Sequence, residues 1–225
     1  MPALILDFDG VIMDSEPVHE RTIRAAAESV GLRLTHEDFV RVCVGTADVE
    51  CFERLARDQG RELSPDDLAR MVQIKRAMFT ELRDAGEIRP FPGTVALIRA
   101  AAADPRITAM AVCTGSRLAD VETQLRAAGL WEFFDARITR ESVTRIKPDP
   151  EPYARACASL GVEPRDAVAL EDTAPGVRSA AAAGLRVAAV CHTLPREALE
   201  AAGAHAVFGT TNDIGVDDLL AAARQ

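Results

Sequence analysis

The sequence lacks any long apolar run and any excess of positive charge. No apolar stretch approaches the ~18 residues that a helix needs to span a bilayer, so we expect no membrane segment. The formal net charge of -9 argues against nucleic acid or an anionic membrane surface as the main partner. The first residues show no basic segment followed by a long apolar stretch, so no signal peptide is predicted. These absences favour a cytoplasmic protein.

The sequence also lacks a recognisable cysteine pattern and has few aromatic residues. The five cysteines are odd in number and widely spaced, and no CxxC pair occurs, so neither a zinc site nor a disulfide framework is indicated. We predict that all five are reduced, small core residues. Residues 16–87 contain only three aromatic side chains, Phe39, Phe52 and Phe79, which gives no sign of a site that stacks on a nucleotide base.

Short apolar runs alternate with longer helical patterns along most of the chain. This alternation is typical of a parallel sheet with crossover helices, and runs that are apolar throughout indicate strands covered on both faces. The predicted strands are residues 3–8, 107–113, 136–139, 167–171, 187–191 and 205–208. The predicted helices are residues 93–103, 117–128, 150–160, 175–183, 195–202 and 212–223. The sequence therefore predicts an α/β fold with a Rossmann-like, doubly wound parallel sheet.

Residues 16–87 interrupt this alternation, because they contain helical patterns and almost no strand candidates. The helical patterns in this region lie at residues 21–30, 49–59 and 65–83. We therefore predict an all-helical domain over residues 16–87, inserted into a catalytic core formed by residues 1–15 and 88–225.

Polar side chains follow four of the predicted strands. The four stretches are Asp7-Phe8-Asp9-Gly10, Cys113-Thr114-Gly115-Ser116, Arg145-Ile146-Lys147-Pro148 and Leu170-Glu171-Asp172-Thr173. Ligands bind at the carboxyl ends of the strands in an open parallel sheet. We therefore expect the acidic groups, the hydroxyl and the lysine of these stretches to converge on one edge of the sheet.

These four stretches resemble the four motifs of the haloacid dehalogenase superfamily, in the same order and at the ends of strands. The helical insertion resembles that superfamily's helical cap, so the resemblance covers the whole chain. Within the superfamily, the stretch from Asp7 to His19 is similar to the β-phosphoglucomutase and sugar-phosphatase subgroup. A lone Asp-x-Asp also occurs in calcium loops and sugar-transfer enzymes, but the four different motifs together, each after an apolar strand, are specific.

The resemblance implies phosphoryl transfer through an aspartyl-phosphate. Asp7 would be the nucleophile, and Asp9 would be the general acid and then the base that activates water. Residues two apart in an extended strand point to the same side, so both carboxylates can face one phosphate. Thr114 would hydrogen-bond the phosphoryl oxygens, and Lys147 would neutralise the remaining negative charge.

The resemblance also implies Mg²⁺ as cofactor, since this hard cation favours oxygen ligands and offsets repulsion between carboxylates and phosphate. Asp7, the backbone carbonyl of Asp9, and Asp172 would hold the ion. Glu171 would bind it either directly or through a water molecule.

Substrate-binding candidates lie in the second motif. Gly115 and Ser116 would offer backbone N–H groups to the phosphoryl oxygens near the start of a helix. Ser116 and Thr173 are also predicted to cap helix N-termini. Arg117 either reaches a second anionic group or is a solvated helix arginine.

Two further candidates lie in the helical insertion. Lys75 resembles a cap lysine that holds the distal part of substrates, and a solvated helix lysine is an equally good interpretation. His19 matches a histidine that positions or gates the acid-base aspartate in the subgroup, with packing as the alternative. The other three histidines show no metal-ligand spacing and receive no role: His36, His192 and His205.

The residue at position 9 separates the reactions of the superfamily. Dehalogenases and phosphonate-cleaving members lack an aspartate there, so Asp9 favours phosphate esters. Mutases of the subgroup carry a basic cap residue shortly after a glycine, whereas residues 45–50 contain two acids and no base. Arg117-Leu118 also replaces the Lys-Asn pair expected of a mutase.

We therefore predict a monomeric, Mg²⁺-dependent phosphatase that hydrolyses small phosphorylated metabolites, with sugar phosphates as the favoured class. A β-phosphoglucomutase-like phosphosugar mutase is the alternative, since it would use the same core residues. A non-catalytic phospho-ligand binding protein is the third hypothesis, and it would predict the loss of residues such as Asp7 or Lys147. No nucleic-acid or membrane partner is expected.

Overall fold

The computed structural model describes residues 2–222. The chain divides into two compact units. The first, the core unit, comprises the segment up to Asp14 and the chain from Pro90 onward, and the second, the helical unit, comprises Ser15–Arg89. No helix among the described residues is long and apolar enough to cross a membrane.

Strands and helices alternate along the core unit, whereas the helical unit consists mainly of helices. The strands are β1 (Ala3–Leu6), β2 (Met13–Asp14), β3 (Arg89–Pro90), β4 (Met110–Cys113), β5 (Ala136–Ile138), β6 (Ala167–Glu171), β7 (Arg186–Val190) and β8 (Ala206–Phe208). The helices are α1 (Glu16–Glu28), α2 (His36–Asp38), α3 (Asp48–Asp58), α4 (Pro65–Asp84), α5 (Pro92–Ala103), α6 (Leu118–Ala127), α7 (Glu151–Leu160), α8 (Ala174–Ala182), α9 (Arg196–Ala201) and α10 (Val216–Ala222).

The described residues of the core unit form a six-stranded sheet in the order β5-β4-β1-β6-β7-β8, with all neighbouring strands parallel. The chain extends the sheet from β1 towards β5 and then returns to the other side of β1 to form β6, β7 and β8. The predicted doubly wound parallel sheet is therefore confirmed. In this topology, the direction of winding changes beside β1, where ligands bind at the carboxyl ends of the strands.

The central strand β1 shows why the predicted strands are apolar throughout. Leu4 lies opposite Met110 on one side and Val168 on the other, and all four residues of β1 are buried. Because helices cover both faces of the sheet, alternation with polar residues would place polar groups in the core. Each buried Leu or Ile side chain of this strand contributes roughly 2 kcal/mol of transfer free energy.

All six strands predicted for the sheet are present, with shifted ends in some cases. The run predicted at residues 107–113 becomes a strand only at Met110, because its partner β1 begins at Ala3 and Leu4 pairs with Met110. The helix predicted at residues 212–223 begins at Val216, because a 3-10 turn over Thr211–Asp213 comes first. Residue 223 lies outside the described residues.

The helical unit packs α1, α3 and α4 around an apolar cluster that includes Phe52, Leu55 and Met71. Helix α1 begins at Glu16, earlier than the predicted residue 21, since Pro17 fits the first turn of a helix. A short π-helical segment, Phe39–Cys43, follows α2 and was not predicted.

The prediction that all five cysteines are reduced is wrong for two of them. Cys43 and Cys51 form a disulfide within the helical unit, with their Cα atoms 4.8 Å apart. Cys43 ends the π-helical segment and Cys51 lies in the first turn of α3, so a tight turn between two helical segments brings them together. A spacing of eight residues carries no recognisable signal, and for this reason the pair was missed. Cys113, Cys157 and Cys191 are free.

Candidate active site

The carboxyl ends of three adjacent strands meet at one edge of the sheet. Asp7 directly follows β1, and its N–H donates to the Leu170 carbonyl at 3.0 Å, which extends the ladder with β6. Glu171 is the last residue of β6 and Asp172 follows it, while Thr114 follows β4. Asp7, Glu171, Asp172 and Thr114 are all buried, so the expected convergence is present.

Lys147 joins the ends of these three strands. Its Nζ lies 2.9 Å from Asp7 Oδ1, 2.7 Å from Glu171 Oε1 and 2.9 Å from the Cys113 carbonyl oxygen. An ammonium group has three N–H donors, and the geometry provides three acceptors for them. Lys147 is therefore held as a buried point charge beside Asp7.

Glu171 is completely buried and is surrounded by donors. Its Oε1 accepts from Lys147 Nζ and from the Tyr153 hydroxyl, both at 2.7 Å. Its Oε2 accepts from Thr173 Oγ1 and from the Asp172 N–H, both at 3.2 Å. A Cβ atom on Gly176 would lie 2.0 Å from the Glu171 carboxylate, so the close approach of α8 requires glycine there.

Three carboxylates in this region could hold a metal ion. Asp7, Glu171 and Asp172 each offer one oxygen, and these oxygens lie within 4.8 Å of one another. Three buried carboxylates face one buried ammonium, so the local charge is negative when all are ionised. Carboxylate oxygens are the ligands that hard divalent cations such as Mg²⁺ prefer, and the donor set therefore fits such an ion.

The excess of negative charge shifts the pKa values of Asp7 and Lys147. Burial and the negative charge of Glu171 raise the pKa of Asp7 to about 8, although Lys147 opposes the shift. Burial alone would lower the pKa of Lys147, but the charges of Asp7 and Glu171 raise it above its ordinary value. The surroundings thus favour the protonated form of Lys147 and oppose ionisation of Asp7. A divalent cation in the carboxylate cluster would favour the ionised form of Asp7.

In the second motif, the Ser116 side chain bonds Asp9 and does not cap helix α6. Ser116 Oγ donates to Asp9 Oδ2 at 2.5 Å, and the Ser116 N–H donates to Thr114 Oγ1 at 2.9 Å. Helix α6 begins at Leu118 with Arg117 as its N-cap residue, so the prediction that Ser116 caps a helix is wrong. The corresponding prediction for Thr173 is confirmed, because its hydroxyl accepts from the Gly176 N–H at the start of α8.

Comparison with known proteins identifies the family. The model of a family described as haloacid dehalogenase-like hydrolase matches residues 1–184. The chain belongs to the haloacid dehalogenase-like hydrolases. The superfamily that the four motifs predict is therefore confirmed, and the chain is an enzyme of the hydrolase class.

Similar proteins cover nearly the whole chain of this hydrolase. It is 32% identical over 189 residues to protein CbbY of Cereibacter sphaeroides, which covers 82% of this chain and 81% of that protein. It is 32% identical over 210 residues to a phosphorylated carbohydrates phosphatase of Thermotoga maritima, which covers 92% and 94% of the two chains. A solved structure of mutant CbbY from Rhodobacter sphaeroides with xylulose-(1,5)-bisphosphate superposes with a TM-score of 0.83 at 30% identity, covering 97% of this chain and 99% of that one.

Arg117 of this hydrolase is exposed and faces an acidic neighbour. Its Nε lies 3.7 Å from Glu141 Oε1, and Glu141 Oε2 accepts from the Leu118 N–H at 3.1 Å. Glu141 thus provides the acceptor at the start of α6 that Ser116 was expected to provide. An anionic group that reached Arg117 would compete with this carboxylate.

His19 and Lys75 both contact the Phe79 ring in the helical unit. The His19 ring stacks on Phe79 with the ring centroids 4.7 Å apart, and Lys75 Nζ lies 5.4 Å from the Phe79 centroid. Lys75 also pairs with Asp48 at 2.9 Å and has a side chain that is only 12% exposed. The interpretation of Lys75 as a solvated helix lysine is therefore wrong, while its role toward substrate stays a prediction.

Sequence reasoning missed three side chains that contact the motifs. Tyr153 donates to Glu171, Thr193 Oγ1 donates to Asp172 Oδ2, and His192 Nδ1 lies 2.9 Å from the Gly10 carbonyl oxygen. His192 and Thr193 follow β7 in the same way that the motifs follow their strands. The rule that polar residues at strand ends are functional would have found them, whereas a search for metal-ligand spacing excluded His192.

Proposed function

We propose that this hydrolase is a phosphatase that removes the phosphoryl group from small phosphorylated metabolites, with sugar phosphates as the main class and Mg²⁺ as cofactor. The observation that carries the proposal is the Lys147 ammonium held between Asp7 and Glu171, which form a cluster of three buried carboxylates with Asp172. The relative from Thermotoga maritima is a phosphorylated carbohydrates phosphatase, which supports the same substrate class.

Asp7 is the proposed nucleophile. Its carboxylate attacks phosphorus in line with the ester bond, so that a new P–O bond to Asp7 forms as the bond to the leaving oxygen breaks. Asp9 donates a proton to the leaving alcohol, and then removes a proton from the water that hydrolyses the aspartyl-phosphate. The hydrogen bond from Ser116 Oγ to Asp9 Oδ2 holds the Asp9 side chain in place for both steps.

Lys147 and the second motif stabilise negative charge in this proposal. The ammonium is already fixed 2.9 Å from Asp7, so it needs no rearrangement as charge develops on the phosphoryl oxygens. Thr114 and the backbone N–H group of Gly115 are the proposed donors to those oxygens, and the Ser116 N–H, which donates to Thr114 Oγ1, orients the threonine hydroxyl.

The proposed ligands of Mg²⁺ are Asp7, Asp172 and the backbone carbonyl of Asp9. When bound, Mg²⁺ neutralises the carboxylates and polarises the phosphoryl oxygens. Both oxygens of Glu171 accept hydrogen bonds from the protein, so we propose that Glu171 acts on the ion through water and mainly anchors Lys147. An ion held by these ligands would also favour the ionised form of Asp7.

We propose that the core unit is the catalytic domain and that the helical unit is the cap domain. In the cap, the proposed substrate-binding residues are His19 and Lys75, which lie together around Phe79. Asp48 beside Lys75 reduces the positive charge available to a second phosphate. This pairing favours the phosphatase over the mutase, because a mutase must grip a distal phosphate.

The test is phosphate release from a panel of sugar, polyol and carboxylic acid phosphates, with Mg²⁺ or with EDTA. Each sugar monophosphate is also assayed with its bisphosphate for conversion between isomers. We expect release that depends on Mg²⁺ and that Asp7→Asn abolishes while the circular dichroism spectrum is unchanged. Isomer conversion without release would instead establish a mutase, and silence in both assays from folded protein would support a binding protein.

A further inference from the structure

The segment that follows β7 contacts two of the acidic motifs at once. Thr193 Oγ1 donates a hydrogen bond to Asp172 Oδ2, and His192 Nδ1 lies 2.9 Å from the carbonyl oxygen of Gly10. Asp172 is 21 residues from Thr193 in the chain, and Gly10 is 182 residues from His192. The strand order β1-β6-β7 places the carboxyl ends of these segments side by side.

His192 is fixed on three sides, which holds the backbone that carries Thr193. The Thr211 N–H donates to His192 Nε2 at 3.3 Å, so Nε2 is an acceptor and the ring proton lies on Nδ1. Nδ1–H then donates to the Gly10 carbonyl. The Phe91 ring stacks on the imidazole with the centroids 4.0 Å apart. Thr193 is therefore presented to Asp172 from a rigid position.

Gly10 lies against both partners of this hydrogen bond. It adopts a left-handed conformation with φ +75°, and a Cβ atom at this position would lie 1.9 Å from Asp172 Oδ2 and 2.9 Å from Thr193 Oγ1. The turn after Asp9, the Asp172 carboxylate and the Thr193 hydroxyl are thus in mutual contact. The Gly10 backbone and the Thr193 hydroxyl therefore both restrict the position of Asp172 Oδ2.

We propose that Thr193 is a positioning residue for Asp172, and that its hydroxyl sets the orientation in which the carboxylate binds a divalent cation. This inference rests on the proposed function, because it concerns the same metal site. A donor that holds one carboxylate oxygen fixes the plane of the group, and the second oxygen then has a defined direction. Loss of such an outer partner typically lowers metal affinity by about 10- to 100-fold.

The experiment measures Mn²⁺ binding to the full chain by electron paramagnetic resonance, without substrate. Thr193→Ala and Thr193→Ser differ only in the hydroxyl, so they form a matched pair. We expect the Kd of Thr193→Ser to stay close to that of the wild type, and that of Thr193→Ala to rise by about 10- to 100-fold. Thr193→Val, which keeps the shape of threonine, should behave like Thr193→Ala.

Thr22→Val is the control for the loss of a buried hydroxyl elsewhere. Thr22 lies in the helical unit, is fully buried and donates to the His19 carbonyl at 3.0 Å. The Mn²⁺ affinity of Thr22→Val should match that of the wild type. Thermal unfolding of every variant checks that the fold is intact.

The outcomes separate this inference from the proposed function. If the wild type binds no Mn²⁺, the metal site itself is wrong. If the wild type binds Mn²⁺ and Thr193→Ala and Thr193→Val bind it equally well, only the role of Thr193 is overturned. An equal loss of affinity in Thr193→Ser and Thr193→Ala would also overturn it, because packing rather than the hydroxyl would then be responsible.

Discussion

Replacement of Asp7, the proposed nucleophile, should stabilise the protein in the absence of metal, and the gain in free energy of unfolding should grow with pH. The pKa of Asp7 is raised from 3.8 to about 8, mainly by burial, so the folded state holds a proton that the unfolded state has released. Stability from this group is present below pH 4 and is lost as the pH rises towards 8. At about 1.4 kcal/mol per pH unit, the loss between pH 5 and pH 8 is roughly 4 kcal/mol.

Asp7→Asn removes this titration while the side-chain oxygen near Lys147 is retained. Urea unfolding in EDTA at several pH values between 5 and 8 should therefore show a wild-type free energy of unfolding that falls with pH more steeply than that of Asp7→Asn. The difference between the two proteins should grow by roughly 4 kcal/mol from pH 5 to pH 8 and shrink when Mg²⁺ is added to the wild type. Asp166→Asn, a change at an exposed aspartate, should leave the wild-type pH dependence unchanged.

A difference between wild type and Asp7→Asn that does not vary with pH would refute this reasoning. So would a wild-type stability that rises between pH 5 and pH 8 in EDTA. Either result would mean that Lys147 compensates the charge of Asp7 without help, and that the local excess of negative charge does not require a cation.

Three further predictions follow from local geometry. Lys147→Arg keeps the positive charge, but a planar guanidinium cannot bond three acceptors that converge at 2.7 to 2.9 Å, so kcat should fall by about 100-fold or more in steady-state assays. A retained kcat would show that charge alone is sufficient. Gly176→Ala places a Cβ atom 2.0 Å from the Glu171 carboxylate, and urea unfolding should show a loss of roughly 3 kcal/mol. An unchanged midpoint would show that α8 can move away from Glu171. Thiol titration of denatured, unreduced protein should detect Cys113, Cys157 and Cys191 alone, and all five cysteines after reduction. Detection of all five before reduction would exclude the Cys43–Cys51 bond.

The buried charges of the candidate active site lower the free energy of unfolding of this enzyme. Three carboxylates and one ammonium lie in a region from which water is largely excluded, and only part of their charge is balanced by the protein. The same imbalance prepares the site for a cation and for a phosphoryl group. Changes that relieve the imbalance should therefore stabilise the fold and abolish turnover.

The sequence alone determined the sheet and the positions of the four motifs. Strands buried on both faces must be apolar throughout, so β1 and β6 are visible as runs, and the polar residues that follow them mark their carboxyl ends. Asp7 and Asp172 were predicted as site residues from this pattern and from the motif resemblance. The apolar runs and the polar residues that follow them can be recognised in each short segment by itself, because burial constrains the composition of each strand separately.

Only the tertiary structure decided which side chains support the motifs. Tyr153 bonds Glu171 across 18 residues and Thr193 bonds Asp172 across 21, while the Cys43–Cys51 disulfide depends on the turn between two helical segments. Such contacts depend on which strands and helices become neighbours and on the angle at which each side chain leaves its element. Hydrophobic periodicity specifies which face of a helix or strand is buried. It does not specify which polar groups of two different elements come within about 3 Å of each other, as a hydrogen bond requires.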